Sequence, residues 1–212
     1  MYIVAMLTML VDHIGIVFFP DQEGWRIVGR IAMPIYAYCL VQGFRYTRSK
    51  TNYLRRLVLL ALISEVPYVI ALKMVNINII GTFVICMLVL IGMERFRGKA
   101  AAIGLVTAGS VVLEVIPFDY GAYALLLVLA YKWLDTRHLV AAHLLLNLAF
   151  ILATGGVLQM YSIISTIFLV YRPSIYGWLD KVEIRRWVWR SFYPAHLVVL
   201  AAAQLLFVLN KS

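Results

Sequence analysis

The chain has 212 residues, of which 64% are hydrophobic and only 14% charged, and its mean hydropathy is +0.90. Soluble domains run at about 45–50% apolar, so composition excludes an ordinary soluble domain and points to a polytopic membrane protein. The net charge is +9, but most basic residues fall in short stretches between apolar runs, which speaks for orientation in a membrane rather than for nucleic acid.

The first apolar run covers 2–19 and includes "TMLVDHIGIVFF", which carries Asp12 and His13. It has no basic n-region and no small-residue cleavage site, so a cleaved signal peptide is not expected. Further runs follow at about 27–45, 54–72, 77–93, 100–117, 121–134, 138–154, 157–171 and 188–209. A helix rises about 1.5 Å per residue, so about 20 residues cross a hydrocarbon core about 30 Å thick. The pattern predicts an all-α polytopic transmembrane helical bundle of about nine spans. Eight are possible, because the sixth and eighth runs are short. No linker divides the chain, and one integral domain over 1–212 is expected. Cys39 and Cys86 both lie in apolar runs with no metal-ligand spacing, so they read as packing residues.

The loops set an orientation. "RYTRSKTNYLRR" holds Arg45, Arg48, Lys50, Arg55 and Arg56, and "ERFRGK" holds Arg95, Arg97 and Lys99. Lys132 and Arg137 follow, then Arg172, Lys181, Arg185, Arg186 and Arg190, which places 15 of the 19 basic residues in the even-numbered loops. The positive-inside rule then puts the amino terminus in the cytoplasm and the carboxyl terminus outside. Arg26, Lys73 and Lys211 are left on the outer side, with Arg30 at the start of the second helix. Trp178, Trp187 and Trp189 suit an interfacial belt.

A charge at the bilayer centre costs roughly 2.5–3.5 kcal/mol even on lenient insertion scales, so intramembrane ionisable residues are candidates for function. The set is Asp12, His13, Arg30, Glu65, Glu114, Asp119, His143 and His196, with Asn78, Thr82, Asn147 and Gln159 as neutral company. Most of these converge between the midplane and the outer surface. Glu114 reads as a headgroup residue and His143 as an interhelical hydrogen-bonder. Successive helical side chains diverge by about 100°, so Asp12 and His13 must seek different partners. Arg30 suits Asp12, which leaves His13 or His196 free to exchange protons.

Six blocks in order then carry a resemblance: "DHIG" at 12–15, "GRIAMPIYAY" at 29–38, "GFRYTRS" at 43–49, "YLRRLVLLALISEVPY" at 53–68, "DYG" at 119–121 and "FYPAHLVVL" at 192–200. Together they resemble the TraX family, that of the conjugative F-pilin acetylase. The motif positions carried over are Asp12, His13, Gly29, Arg30, Pro34, Arg56, Ser64, Pro67, Asp119, Tyr120, Gly121, Tyr193, Pro194 and His196. In "YRPSIYGWLDK" this chain has Tyr176-Gly177 where the family more often shows Tyr-Asn-Gly.

The resemblance implies a multi-pass acyltransferase of the bacterial cytoplasmic membrane. Its donor would be cytoplasmic acetyl-CoA, and its acceptor would lie at the outer half of the membrane. The acceptor would be the amino terminus of a pilin-like peptide, or alternatively a sugar or lipid hydroxyl. On that footing CoA phosphates would dock on Arg48, Arg55 and Arg56. His13 would act as general base, with His196 as the competing choice, and Asp12 would hold Arg30 or orient a histidine. Asn78, Asp119, Tyr120 and Glu65 would face the acceptor. No metal and no nucleic acid are expected. Rival readings are a proton-coupled transporter and a non-catalytic pilin-assembly factor.

Overall fold

The computed structural model describes residues 1–171 and 185–209. Helices account for every regular element among those residues: α1 (Tyr2–Phe18), α2 (Glu23–Gly29), α3 (Ala32–Tyr46), α4 (Lys50–Leu72), α5 (Ile79–Arg95), α6 (Lys99–Val115), α7 (Gly121–Trp133), α8 (Thr136–Thr154), a 3-10 turn (Val157–Ser162), α9 (Ile163–Tyr171) and α10 (Arg186–Leu209). With α2 and α3 taken as one broken rod, and the 3-10 turn as the opening of α9, the described residues form nine rods. Each coincides with one expected apolar run. Arg172, Trp178, Lys181, Lys211 and most of "YRPSIYGWLDK" lie outside the described residues.

Local chemistry explains the boundaries. The Ser49 hydroxyl caps α4 by accepting from the Asn52 N–H at 3.2 Å. Asn78 caps α5, its Oδ1 accepting from Ile80 and Gly81 at 3.0 and 3.3 Å. The second rod begins earlier than expected, at Glu23, and breaks around Arg30 and Ile31. Pro34 accounts for the break: it has no N–H for the carbonyl four residues back, that of Arg30, and its ring crowds it. The Ile31 carbonyl instead accepts from the Ser165 hydroxyl at 2.8 Å.

Two apolar cores hold the rods. One joins α3, α5 and α7 through Ala37, Val41, Phe44, Met87, Leu90 and Val128, all at most 1% exposed. The other joins α1, α4 and α10 through Met9, Tyr68, Ala71, Leu197 and Leu200. The outer faces are apolar as well. Leu59, Leu62, Ile63 and Val66 on α4 are 55–68% exposed, and Leu145, Leu152 and Val199 stand out from α8 and α10. By length and hydropathy, two described rods suffice alone to cross a membrane, Glu23–Tyr46 and Thr136–Thr154.

The bundle has two unlike ends. At one, Arg45 donates to the Lys132 carbonyl at 2.9 Å, Lys50 pairs with Glu94, and the Lys50 and Lys132 ammonium groups both lie over the Phe44 ring. At the other, the α4–α5 and α6–α7 connections meet in a short parallel bridge between Ile77 and Phe118. The Ile77 N–H donates to the Pro117 carbonyl at 2.8 Å, and the Asp119 N–H to the Ile77 carbonyl at 2.9 Å.

Candidate active site

Asp12 and His13 sit two-thirds of the way along α1 and diverge as helical geometry demands. The Asp12 carboxylate faces α2 and meets Arg26 Nη1 at 3.1 Å. This corrects the expected Asp12–Arg30 pair. Because α2 starts at Glu23, Arg26 lies one turn before Arg30 and reaches Asp12 first. The close approach of α1 and α2 depends on Gly29, where a β-carbon would collide with the Asp12 side chain. Arg30 turns the other way. Its Nη1 donates to Tyr120 Oη at 3.3 Å and to Gln159 Oε1 at 3.2 Å, with the guanidinium 5.7 Å from the centre of the Tyr120 ring. Tyr120 holds a left-handed backbone, φ +63°, an uncommon and costly conformation for a bulky residue that the fold over-determines here.

His13 faces α10. Its Nδ1 lies 2.8 Å from His196 Nε2, with both rings buried. His196 Nδ1 lies 2.7 Å from the carbonyl oxygen of Phe192, one turn back along α10. A carbonyl only accepts, so Nδ1 of His196 carries the hydrogen. With both rings neutral, Nε2 of His196 is then an acceptor and Nδ1 of His13 is the donor to it. The unprotonated nitrogen at the end of this chain is Nε2 of His13. The two histidines proposed as competitors thus form one unit, with His13 outermost and His196 fixing its tautomer.

Tyr193 stands edge-on to both rings, its centroid 6.4 Å from that of His13 and 5.6 Å from that of His196. Its hydroxyl is buried and has no hydrogen-bond partner among the described residues. Tyr193 also closes the deep end of a cavity of about 390 Å³ that begins at the basic end of the bundle. Arg56, Arg190 and Tyr46 line its outer part, and Met9, Ile80 and Phe83 its depth. Of the three arginines expected to hold phosphates, Arg56 lines this cavity; Arg48 and Arg55 are exposed and stand apart from it. Arg190 takes their place. Sequence reasoning counted it as a topology charge, and only the pairing of α10 with α4 brings it beside Arg56.

The remaining candidates have structural partners. Asn78 uses every hydrogen-bonding position of its side chain. Besides capping α5, Nδ2 donates to the Ala61 carbonyl at 2.9 Å and to Glu65 Oε2 at 2.5 Å. The Asn78 backbone N–H also reaches Glu65, at 3.2 Å. The expected role of Asn78 toward an acceptor therefore has no free atom to serve it, and Glu65 ties α4 to the start of α5. Asp119 lies in the α6–α7 link, where its carbonyl accepts from Thr82 at 2.7 Å. Burial lifts its carboxyl from the ordinary 3.8 to about 6, against the opposing pull of Arg30. Glu114 accepts from the Ala122 N–H at 2.8 Å and so caps α7, rather than facing headgroups alone. His143 joins α8 to α7 and α9, with Tyr123 Oη at 2.8 Å on Nε2 and Thr166 Oγ1 at 2.6 Å on Nδ1. Asn147 completes that buried cluster by accepting from Tyr123 Oη at 2.8 Å.

Two participants had little signal in the sequence. Arg26 reads as a loop charge until α2 is extended to Glu23, which puts it inside a helix that faces Asp12. Gln159 follows two glycines and looks like a loop residue, yet it is 2% exposed and holds Arg30.

The family profile described as "TraX protein" matches residues 1–204. A probable fimbrial assembly protein, FimC of serogroup H1 from Dichelobacter nodosus, is 23% identical over 96% of this chain and 93% of its own length. An uncharacterized protein, RP591 of Rickettsia prowazekii (strain Madrid E), is 41% identical over 23% of this chain and 19% of its own length. No solved structure matches. With nearly its whole length matched by one profile, the chain belongs to the TraX family.

Proposed function

We propose that this chain is a membrane-embedded acyltransferase. It would move an acetyl group from acetyl-CoA, bound at the basic end, to an acceptor arriving from the other end, the amino terminus of a pilin-like peptide. The observation that carries the reading is the hydrogen-bonded His13–His196 pair beside Tyr193 at the closed end of a cavity whose outer part carries arginines. An acetyl thioester supplies an electrophilic carbonyl, and the chain supplies the rest. Arg56 and Arg190 offer a phosphate-binding rim. The apolar depth suits the uncharged arm of CoA. His13 Nε2 is the base that takes the acceptor proton. The acceptor nitrogen bonds to the acetyl carbon, the carbon–sulfur bond breaks, and its electron pair leaves with the sulfur. On this reading a small shift of the Tyr193 ring would let its hydroxyl donate to the carbonyl oxygen as negative charge gathers there.

The membrane setting has its own support. Leucine, isoleucine and valine side chains crowd the outside, while hydrogen-bonding side chains such as Asn78, Thr82, His143 and Asn147 are buried. Rods of 17 residues, such as α1, α5 and α6, fall at the short end of the spanning range. On this reading the basic end faces the cytoplasm of a bacterium and the amino terminus lies with it. A wild-type preparation in nanodiscs, given labelled acetyl-CoA and an apolar peptide with a free amino terminus, should yield N-acetylated peptide by mass spectrometry. Label recovered only on a hydroxyl of added glycan or lipid would make it an O-acetyltransferase. No transfer to any acceptor, with acetyl-CoA bound, would overturn the reading.

A further inference from the structure

Besides the cavity at the basic end, the bundle holds a second one of about 640 Å³ at the other end, between α2 and the turn that joins α8 to α9. A third feature belongs to neither. At the basic end Arg45 from α3, Lys50 from α4 and Lys132 from α7 gather around Phe44, and none of the three lines either cavity. The Lys50 ammonium lies 4.4 Å and the Lys132 ammonium 4.7 Å from the centre of the Phe44 ring, which is 1% exposed. Arg45 donates to the Lys132 carbonyl at 2.9 Å, which holds its guanidinium beside them. Glu94 on α5 is the carboxylate that meets this group, and Lys50 pairs with it. The Lys132 ammonium makes no hydrogen bond or ion pair among the described residues. Of the charges that act on it, Arg45 and Lys50 repel it and Glu94 attracts it. Three cations against one carboxylate leave two positive charges uncompensated. The face of one aromatic ring offsets only part of that repulsion, so the missing piece is an anion. A phosphodiester brings two charged, non-bridging oxygens, one for each ammonium group tied to the ring.

Two neighbours indicate the source of that phosphate. Trp133 follows Lys132, and Phe96 comes two residues after Glu94, just past the end of α5; they are 51% and 56% exposed. Exposed aromatic rings next to cations at the ends of apolar helices mark the boundary between water and lipid, where basic groups between helices take up anionic headgroups. A free nucleotide would leave those rings in water. We propose that Arg45, Lys50 and Lys132 form a site for the phosphate of an anionic phospholipid, with Trp133 and Phe96 flanking its glycerol. The site is separate from the Arg56–Arg190 rim. The inference rests on the membrane reading and does not depend on acetyl transfer.

The test is native mass spectrometry of the full chain released from nanodiscs that hold phosphatidylglycerol and phosphatidylcholine in equal amounts, reading the ratio of the two lipids retained. Wild type should favour phosphatidylglycerol by about fivefold or more. Lys132→Gln should lower the ratio about fivefold, the weight of one cation near a lipid surface. Glu94→Gln, which deletes the opposing carboxylate, should raise it by about the same factor. Lys99→Gln, an equal loss of charge at an exposed residue of α6 outside the cluster, should leave it unchanged. The two opposite shifts are independent, so either variant decides if the other fails to fold. A wild-type ratio near one, a loss in Lys99→Gln equal to that in Lys132→Gln, or a Glu94→Gln ratio at or below wild type would overturn the site. Release of phosphatidylglycerol by added coenzyme A would assign the phosphate to the nucleotide and overturn the lipid source. A chain that never enters nanodiscs would sink the membrane reading and the site with it, whereas a chain that enters and fails these ratios would sink the site alone.

Discussion

Removing the imidazoles singly and together tests whether His13 and His196 act as one unit. The contact is 2.8 Å between two rings that are 8% and 7% exposed. Loss of either ring strands a buried nitrogen on the other, which should cost about 1–3 kcal/mol of stability. The stability coupling in the double mutant should fall within about 0.5–3 kcal/mol. Rates should be unequal. On the transferase reading His13→Ala removes the proposed proton acceptor and should slow acetyl transfer about 10²–10⁴-fold. His196→Ala leaves the base but frees its tautomer, and a loss of roughly 10–100-fold is expected, as for other outer-shell partners of functional imidazoles. The double mutant should be about as slow as His13→Ala alone, because groups that act as a unit are not additive. The assay is single-turnover transfer of labelled acetyl from acetyl-CoA to the apolar peptide, on nanodisc samples matched for folded fraction. Transfer within about tenfold of wild type for His13→Ala would refute the base assignment. Multiplying losses in the double mutant would refute the shared chain.

Tyr193→Phe deletes a buried hydroxyl that has no partner among the described residues, so the melting temperature should hold or rise. The turnover rate should nevertheless fall about 10²–10³-fold with little change in acetyl-CoA affinity, and an unchanged rate would remove Tyr193 from the chemistry. Gly29→Ala forces a β-carbon into the Asp12 side chain, which should cost about 1–3 kcal/mol and part Asp12 from Arg26. A melting curve identical to wild type would show that α1 and α2 can separate freely. For Asp119, a folded-state value of about 6 against an ordinary 3.8 means that the fold disfavours the ionised form. Its stabilising effect is thus present at pH below 3.8 and lost as pH rises through 6. Asp119→Asn should raise stability at pH 8 by about 3 kcal/mol at most, an advantage that disappears near pH 4. Equal gains at both pH values would assign the effect to something other than ionisation.

The sequence located the rods well, because the apolar runs, even the short sixth and eighth, are bounded by charges or glycine. It singled out His13 and His196 as costly side chains in apolar runs, but as competing bases; their 2.8 Å contact shows only in the packing of α1 on α10. Pairing was less legible. Asp12 has two arginines within reach of its level, and only the true start of α2 decides between them. That start depends on a seven-residue helix, Glu23–Gly29, too short and too polar at its opening to announce itself. Asn78 and Glu65 stood out for the same reason as the histidines, polarity within an apolar run, but their spacing of 13 residues across a turn is that of a cap and its clamp. Polarity in such a run marks a residue that needs a partner, and it does not say whether the partner belongs to the chain or to a ligand. Saturated Asn78 and unsatisfied Gln159 and Tyr193 separate along that line only when the hydrogen bonds are counted.

The two cavities also bear on the choice between a transferase and a carrier. A carrier presents one substrate to each side in turn, so its two approaches meet the same chemistry. Here the approaches differ. The basic end leads past arginines into hydrocarbon and ends against Tyr193, beside two imidazoles. The opposite end leads past the Glu23 carboxylate and a mix of polar and apolar side chains to the level of Arg30 and Gln159. Between them the Asp12–Arg26 and His13–His196 contacts tie α1 to α2 and to α10, and rocking α1 to open one side would break both contacts. Two dissimilar cavities that approach one proton-accepting layer suit two different molecules meeting for a group transfer. Uptake of a single labelled solute into liposomes, driven by a proton gradient and abolished by His13→Ala, would reverse that argument.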